Sequence, residues 1–300
     1  MGDPAAKIAL TGFMDRLSPA NESALLVDYD GTLAPFQQER HLAFPYPRVE
    51  SILNAIIQCR RTRVIVITGR PIRDLKILFR SLNNLEIWGA HGMEHLLADG
   101  TYLQTAVDPD VAEVLTQARQ WLVAANLTSL SEVKPGGIAV HWRGLPDAEI
   151  KKVQARAREG WTPLAEQPGI KLFNFEEGLE LRVAHPDKGD AVAAILEDLD
   201  PHAPIAFLGD DLTDEDAFRV LEDRGLSVLV RPEYRETRAN VWLKPPDELI
   251  GFLELWLGRI SSQIARCGVF EDILLSETEQ DSPLNPSKSV AATAYEPFPV

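Results

Sequence analysis

Three short, almost wholly apolar runs punctuate the chain, and each ends in a polar turn. Residues 24–27 lead into Asp28-Tyr29-Asp30-Gly31-Thr32, residues 63–67 into Thr68-Gly69-Arg70, and residues 205–208 into Gly209-Asp210-Asp211. Runs of four or five residues without a polar face suit central parallel strands covered by helices on both sides. Apolar residues at helical spacing lie between them, at Val49, Ile52, Leu53, Ile56 and Ile57 within 48–60, and at Val192, Ile195, Leu196 and Leu199 within 188–199. Residues 71–82 read as a further helix with Pro71 in its first turn. Strands at 226–230 and 241–242 and a last helix from Pro246 complete the pattern. Such alternation implies right-handed crossovers and an α/β fold built on a doubly wound parallel sheet.

The middle of the chain has a different rhythm. A helix at 110–125 precedes strands at 129–134 and 137–142, joined by a Pro-Gly-Gly turn. A helix at 147–161 and strands at 170–174 and 179–183 follow. The expected organisation is a discontinuous core domain over 1–105 and 185–275, with an α+β cap domain over 106–184 inserted into it. Residues 276–300 are rich in Ser, Pro, Thr and Glu without any period, and are expected to be a disordered tail.

Composition narrows the function. The 300 residues are 45% hydrophobic and 25% charged, an ordinary globular profile. Thirty basic against 45 acidic residues give a net charge of −15, which would repel nucleic acid and anionic lipid. No apolar run approaches the ~18–20 residues of a membrane span, and no basic-then-apolar leader opens the sequence. Cys59 and Cys267 make neither a metal spacing nor a disulfide framework. The expectation is a soluble cytoplasmic protein without nucleic-acid or membrane partners.

In doubly wound sheets ligands bind beyond the carboxyl ends of the strands, so the three polar turns should meet. Asp28 and Asp30 would repel each other unless a cation or a proton relieves them. Asp-x-Asp also opens calcium loops, but Leu33 stands where such a loop needs glycine, and Glu39 at the twelfth position has no helix pattern. Acids at 214–216 could simply complement a helix dipole; that reading leaves Asp210 and Asp211 unexplained. Hard oxygen ligands in this number call for Mg²⁺. Thr68-Gly69-Arg70 reads as an anion-binding helix start or a plain N-cap. Lys188 opposes the dipole of the helix it opens, so a phosphate or an aspartate would hold it; a solvated lysine is the simpler alternative. Taken together, these groups suit phosphoryl transfer, with a carboxylate nucleophile, a second carboxyl as acid and base, and positive groups around the phosphoryl oxygens.

The ordered set of 28–33, 68–70, 188–189 and 209–216 resembles the haloacid dehalogenase superfamily, over about residues 25–257. The resemblance implies Asp28 as nucleophile, Asp30 as general acid and base, and Thr68 and Lys188 as holders of the phosphoryl group. It implies Mg²⁺ on Asp28, Asp30 and Asp210, supported by Asp211 and Asp214. Gly89-Ala90-His91-Gly92-Met93-Glu94, Glu132-Val133-Lys134, His141-Trp142-Arg143 and Leu179-Glu180-Leu181-Arg182 further resemble the trehalose-6-phosphate phosphatase branch. That likeness implies Gly69, Arg70, His91, Glu132, Lys134, His141, Arg143 and Glu180 as substrate-binding residues. It also implies trehalose 6-phosphate as substrate, with a separate trehalose-phosphate synthase as pathway partner. Another glycosyl phosphate, such as glucosylglycerol phosphate or sucrose phosphate, and a catalytically silent sugar-phosphate-binding subunit stay open as alternatives.

Overall fold

The computed structural model describes residues 4–261 apart from 38, 80, 83 and 176. Cys267 and the tail expected at 276–300 lie outside the described residues. The chain opens with α1 (Pro4–Leu17), β1 (Ser23–Val27), α2 (Val49–Gln58), β2 (Thr62–Ile67), α3 (Ile72–Lys76), β3 (Glu86–Gly89), β4 (Glu94–Leu96) and β5 (Tyr102–Gln104). It continues with α4 (Pro109–Ala124), β6 (Ser131–Lys134), β7 (Gly137–His141), α5 (Asp147–Ala165), β8 (Ile170–Phe175) and β9 (Gly178–Val183). It closes with α6 (Lys188–Asp198), β10 (Ile205–Gly209), α7 (Glu215–Leu221), β11 (Leu226–Val230), β12 (Val241–Leu243) and α8 (Asp247–Ser261).

Eight strands form one sheet in the order β12-β11-β10-β1-β2-β3-β4-β5. The first six run parallel, while β4 and β5 turn back antiparallel at one edge. Strand periodicity divides β1 between two cores. Leu25 and Val27 pack with α1, α2 and α8 through Phe13, Leu53 and Trp256. Ala24 and Leu26 pack on the other face with Val192 and Ile195 of α6 and Phe218 of α7. Burial on both faces is why β1 and β10 run apolar from Ala24 and Ile205 up to the acidic turns that follow them.

The segment between β5 and α6 forms its own antiparallel sheet, in the order β6-β7-β9-β8. Ile138, Val140, Leu179 and Leu181 face α4 and α5 and pack with Ala118, Leu122, Ala157 and Trp161. Alternation then puts Glu132, Lys134, His141, Phe173, Phe175, Glu180 and Arg182 on the opposite face; the register pairs Glu132 with Ala139 and Phe173 with Glu180. A sheet face this polar is unusual for burial, and it is the face turned toward the ends of β1 and β10.

Two sequence expectations need correction. The helix expected over 71–82 ends at Lys76. Its buried residues Ile72, Leu75 and Leu78 recur every three positions, which suits one tight turn, and Ile77 is left exposed. The strands β3, β4 and β5, together with α1, have no counterpart in the apolar pattern. Glu86, Glu94 and His95 make the first two strands look polar, and Tyr102–Gln104 is exposed throughout. Among the described residues, no helix is long and apolar enough to cross a membrane.

Candidate active site

The parallel order brings the turns after β1, β2 and β10 to one sheet edge. Asp28 continues β1, its N–H donating to the Leu208 carbonyl at 2.8 Å. Gly31 has a left-handed φ of +81°, and a Cβ there would lie 2.2 Å from Asp210 Oδ2. Glycine is what lets the first acidic turn approach the third.

Lys188 opens α6, capped by a reciprocal pair in which the Asp190 N–H donates to Asp187 and the Asp187 N–H donates to Asp190. Its Nζ lies 2.8 Å from Asp28 Oδ1 and 2.6 Å from Asp214 Oδ1, with all three side chains buried. Aspartates therefore hold the lysine, and the solvated alternative falls. Burial opposes its positive charge, but Asp214 and Asp28 prevail and raise its pKa. Asp214 is part of the turn rather than an ornament on a helix start: its Oδ2 accepts the N–H groups of Asp210 and Asp211, both at 2.9 Å. Asp211 faces outward by comparison, its carboxylate accepting the Leu212 N–H at 2.7 Å.

Oxygens of Asp28, Asp210 and Asp214 lie within 4.8 Å of one another, all buried. One lysine is too little charge for three carboxylates. Burial, tempered by Lys188 and augmented by Asp214, lifts Asp28 to about 7. Burial and the neighbouring Asp28 raise Asp210 as well. Asp210 Oδ2 is buried without a hydrogen-bond partner. An orphaned carboxylate oxygen beside two more carboxylates fits a hard divalent cation such as Mg²⁺.

Asp30 points elsewhere. Arg70 grips it with two bonds, Nε to Oδ2 at 2.6 Å and Nη2 to Oδ1, while Nη1 donates to the Arg40 carbonyl. Burial disfavours the Asp30 charge, but the Arg70 bonds outweigh it and hold the carboxyl below its ordinary range. Arg70 thus stands behind Asp30 and does not line the cavity. Thr68-Gly69-Arg70 does not open a helix, as extended Pro71 separates it from α3; Thr68 Oγ1 accepts the Arg70 N–H at 3.2 Å.

His91 closes over this turn. Ala90 and His91 have left-handed φ values of +46° and +58°, a conformation that costs energy in residues with a Cβ. The His91 N–H donates to the Thr68 carbonyl at 3.0 Å, and a Cβ on Gly69 would collide with the imidazole at 2.6 Å. From the opposite sheet, Glu180 lies 3.3 Å from His91 Nε2 and 3.2 Å from Lys134 Nζ. Burial and then Arg182 push His91 down to about 3, so it is neutral. His141 pairs with Glu132 at 2.9 Å, Arg40 reaches the same Glu132, and Arg143 bonds Glu177 and the Gln37 carbonyl.

Between the two sheets lies a cleft open to solvent. Asp28, Asp30, Thr68, Gly69, Lys188 and Asp210 line one end, with Asp211 at the rim, Lys134, His141, Arg143 and Glu180 line the other, and His91 stands between them against Gly69 and Glu180. Glu132 and Asp214 stand one layer behind, supporting His141 and Lys188. Phe36, Arg40, Phe173 and Phe175 also line it, and the sequence motifs do not reach them. The alternation of β8 could have marked the last two; nothing local marks Arg40.

A profile of the family described as Trehalose-phosphatase matches residues 26–243. A probable trehalose-phosphate phosphatase H of Arabidopsis thaliana is 28% identical over 260 residues, covering 79% of this chain and 72% of that protein. A trehalose-phosphate phosphatase of Mycobacterium ulcerans is 29% identical over 263 residues, covering 82% and 63%. Among solved structures, the C-terminal domain of a Candida albicans trehalose-6-phosphate phosphatase superimposes with a TM-score of 0.70 at 22% identity, covering 83% of this chain and 96% of that one. That last likeness is one of fold.

Proposed function

The chain belongs to the trehalose-phosphatase family, and from that premise we propose that it hydrolyses trehalose 6-phosphate to trehalose and inorganic phosphate. The observation that carries this reading is the convergence of Asp28, Thr68, Lys188 and Asp210 on one end of a cavity whose other end is a polar sheet face. We read 106–184 as a cap domain that recognises the sugar, on a core of 1–105 and 185–275.

The Asp28 oxygen not held by Lys188 attacks phosphorus as the bond to the sugar oxygen breaks, forming an aspartyl-phosphate. Asp30 gives its proton to that leaving oxygen, then takes one from the water that attacks the same phosphorus and frees Asp28. Arg70 keeps Asp30 ionised at rest. The proton for the first step is therefore taken up from solvent as the incoming phosphate dianion raises the proton affinity of Asp30, and the proton taken from water in the second step returns to solvent as phosphate leaves. Lys188 and Thr68 orient and neutralise phosphoryl oxygens. Asp28, the Asp30 carbonyl and Asp210 would hold Mg²⁺, which would supply further positive charge against those oxygens, and Asp211 and Asp214 shape that loop. Gly69 admits the phosphoryl group closely, while His91, Glu132, Lys134, His141, Arg143 and Glu180 meet or support sugar hydroxyls. Arg70 reaches the substrate through Asp30. A separate synthase chain in the same cytoplasm would supply the substrate.

Phosphate release from trehalose 6-phosphate, with Mg²⁺ or with a chelator, tests the reading against sucrose phosphate, glucosylglycerol phosphate and glucose 6-phosphate. Selective, Mg²⁺-dependent turnover is expected. Equal rates on every sugar would overturn the substrate, and no turnover on any would favour a silent binding subunit.

A further inference from the structure

The cavity is charged almost throughout, yet Phe36, Phe173 and Phe175 line it. Phosphoryl chemistry uses none of them. Phe173 and Phe175 are two apart on β8, so both rings leave the same face of the sheet, opposite Glu180 and Gly178 of β9. Neighbours on that same face hold them. The Arg182 guanidinium lies 3.9 Å from the Phe173 centroid; this arginine is 3% exposed, and its Nε has no hydrogen-bond partner. Phe175 lies over Gly178, where any Cβ would fall 1.8 Å from the ring. His141 meets Phe175 at 5.3 Å and 64°, and Lys134 Nζ stands 6.0 Å from its centroid. Held by these neighbours, the two rings contribute apolar area to the cavity lining beside Lys134, His141 and Glu180.

We propose that Phe173 and Phe175 form a shelf that takes the C–H face of a pyranose ring. They would thereby select a glycosyl phosphate over an acyclic phosphomonoester. A pyranose carries its hydroxyls around the edge and its axial C–H groups on the faces. The weakly positive C–H face matches the negative face of an aromatic ring, and stacking removes apolar area from water. The rim groups then pair the hydroxyls, which gives an orientation that neither feature alone provides. This inference rests on the reading of the cavity as a sugar-phosphate site, without depending on which sugar.

The test compares two ligands that share the phosphoryl end. Inorganic phosphate reaches only that end, so its inhibition constant reports Asp28, Thr68 and Lys188 alone. Phe173→Ala and Phe175→Ala should each raise KM for trehalose 6-phosphate about tenfold, the equivalent of ~1.4 kcal/mol. They should leave kcat within about twofold and the phosphate constant unchanged. Phe→Tyr at either position keeps the ring and should behave as wild type. Phe→Leu keeps bulk without a flat face and should fall between; the Tyr and Leu pair also decides the matter if an alanine variant fails to fold. Parallel loss of phosphate and sugar-phosphate binding would show a displaced sheet and overturn the shelf, as would an unchanged KM in both alanine variants. If the wild type does not turn over trehalose 6-phosphate, the functional reading falls separately. Calorimetric binding of glucose 6-phosphate against inorganic phosphate then reads the shelf in the same variants, with a selective loss supporting it and an equal loss refuting it.

Discussion

Replacing Lys188 with methionine removes the ammonium and keeps most of the side chain's length. The lysine contacts Asp28 at 2.8 Å and Asp214 at 2.6 Å, and none of the three side chains is more than 6% exposed. Removing one partner of a buried ion pair leaves an uncompensated charge, at a cost of about 3–5 kcal/mol. At about 2–4 °C per kcal/mol for a fold of this size, the melting temperature in chelator should fall by roughly 6–20 °C. The pH dependence gives the argument its sign. Burial already holds Asp28 at about 7, tempered chiefly by Lys188, and losing the lysine raises it further. Protonation relieves the stranded charge, so the gap between variant and wild type should narrow from pH 7.5 to pH 5.5. Mg²⁺ should restore more of the melting temperature in the variant, where it replaces the missing positive charge. Differential scanning fluorimetry in chelator and in Mg²⁺, at both pH values, reads all three effects. A variant melting within about 2 °C of wild type in chelator at pH 7.5 would refute the reasoning, and so would a gap that widens in acid.

Asp28→Asn should lower phosphate release by at least ~10³-fold without lowering the melting temperature in chelator, because it removes one of three crowded carboxylates; retained turnover would exclude Asp28 as nucleophile. Arg235 braces the acidic turn from outside, its Nε donating to the Asp210 carbonyl at 3.1 Å and its Nη2 to the Asp211 carbonyl at 2.7 Å. Arg235→Ala should weaken calorimetric Mg²⁺ binding about tenfold, with Arg235→Lys a poor substitute for the planar fork; an unchanged affinity would show that the turn holds itself. Burial, followed by Arg182 for His91 and Arg40 for His141, pushes both histidines to about 3. The unfolded chain binds those protons from about pH 6.5 downward, so the stability they contribute is full above 6.5 and drains between 6.5 and about 3. Asp28, lifted to about 7, and Asp210 pull the other way, gaining stability as they bind protons. The histidine effect is therefore read as a difference: from pH 7 to pH 5 the urea midpoint of His141→Gln should fall less, or rise more, than that of wild type, and parallel midpoints would contradict a neutral His141.

What the sequence discloses depends on how locally each constraint is written. Asp28 and Asp210 are legible because a fully apolar strand that ends in carboxylates makes little sense without a ligand at its end, and parallel topology makes strand ends neighbours. Lys188 is legible through its conflict with a helix dipole, though the sequence cannot choose between a phosphate and an aspartate as the counter-charge. Asp214 is named only through the family resemblance, since an acid at a helix start is ordinary; its two bonds to the Asp210 and Asp211 N–H groups give the physical reason for it. β3 and β4 are hidden for a related reason. Their charged residues are stabilised by partners on other elements: Glu86 by Arg63 and His95, and Glu94 by Tyr102 and the Ile72 N–H. Arg40 belongs to a loop without period, and only tertiary structure brings it to Glu132. Phe173 and Phe175 are the instructive case. Aromatic residues in a strand suggest a core, yet Leu172 packs against the core of the second sheet while residues 173 and 175 face the cavity. Alternation was the available signal, and it had to be read together with the charged residues of β6, β7 and β9, which share that face.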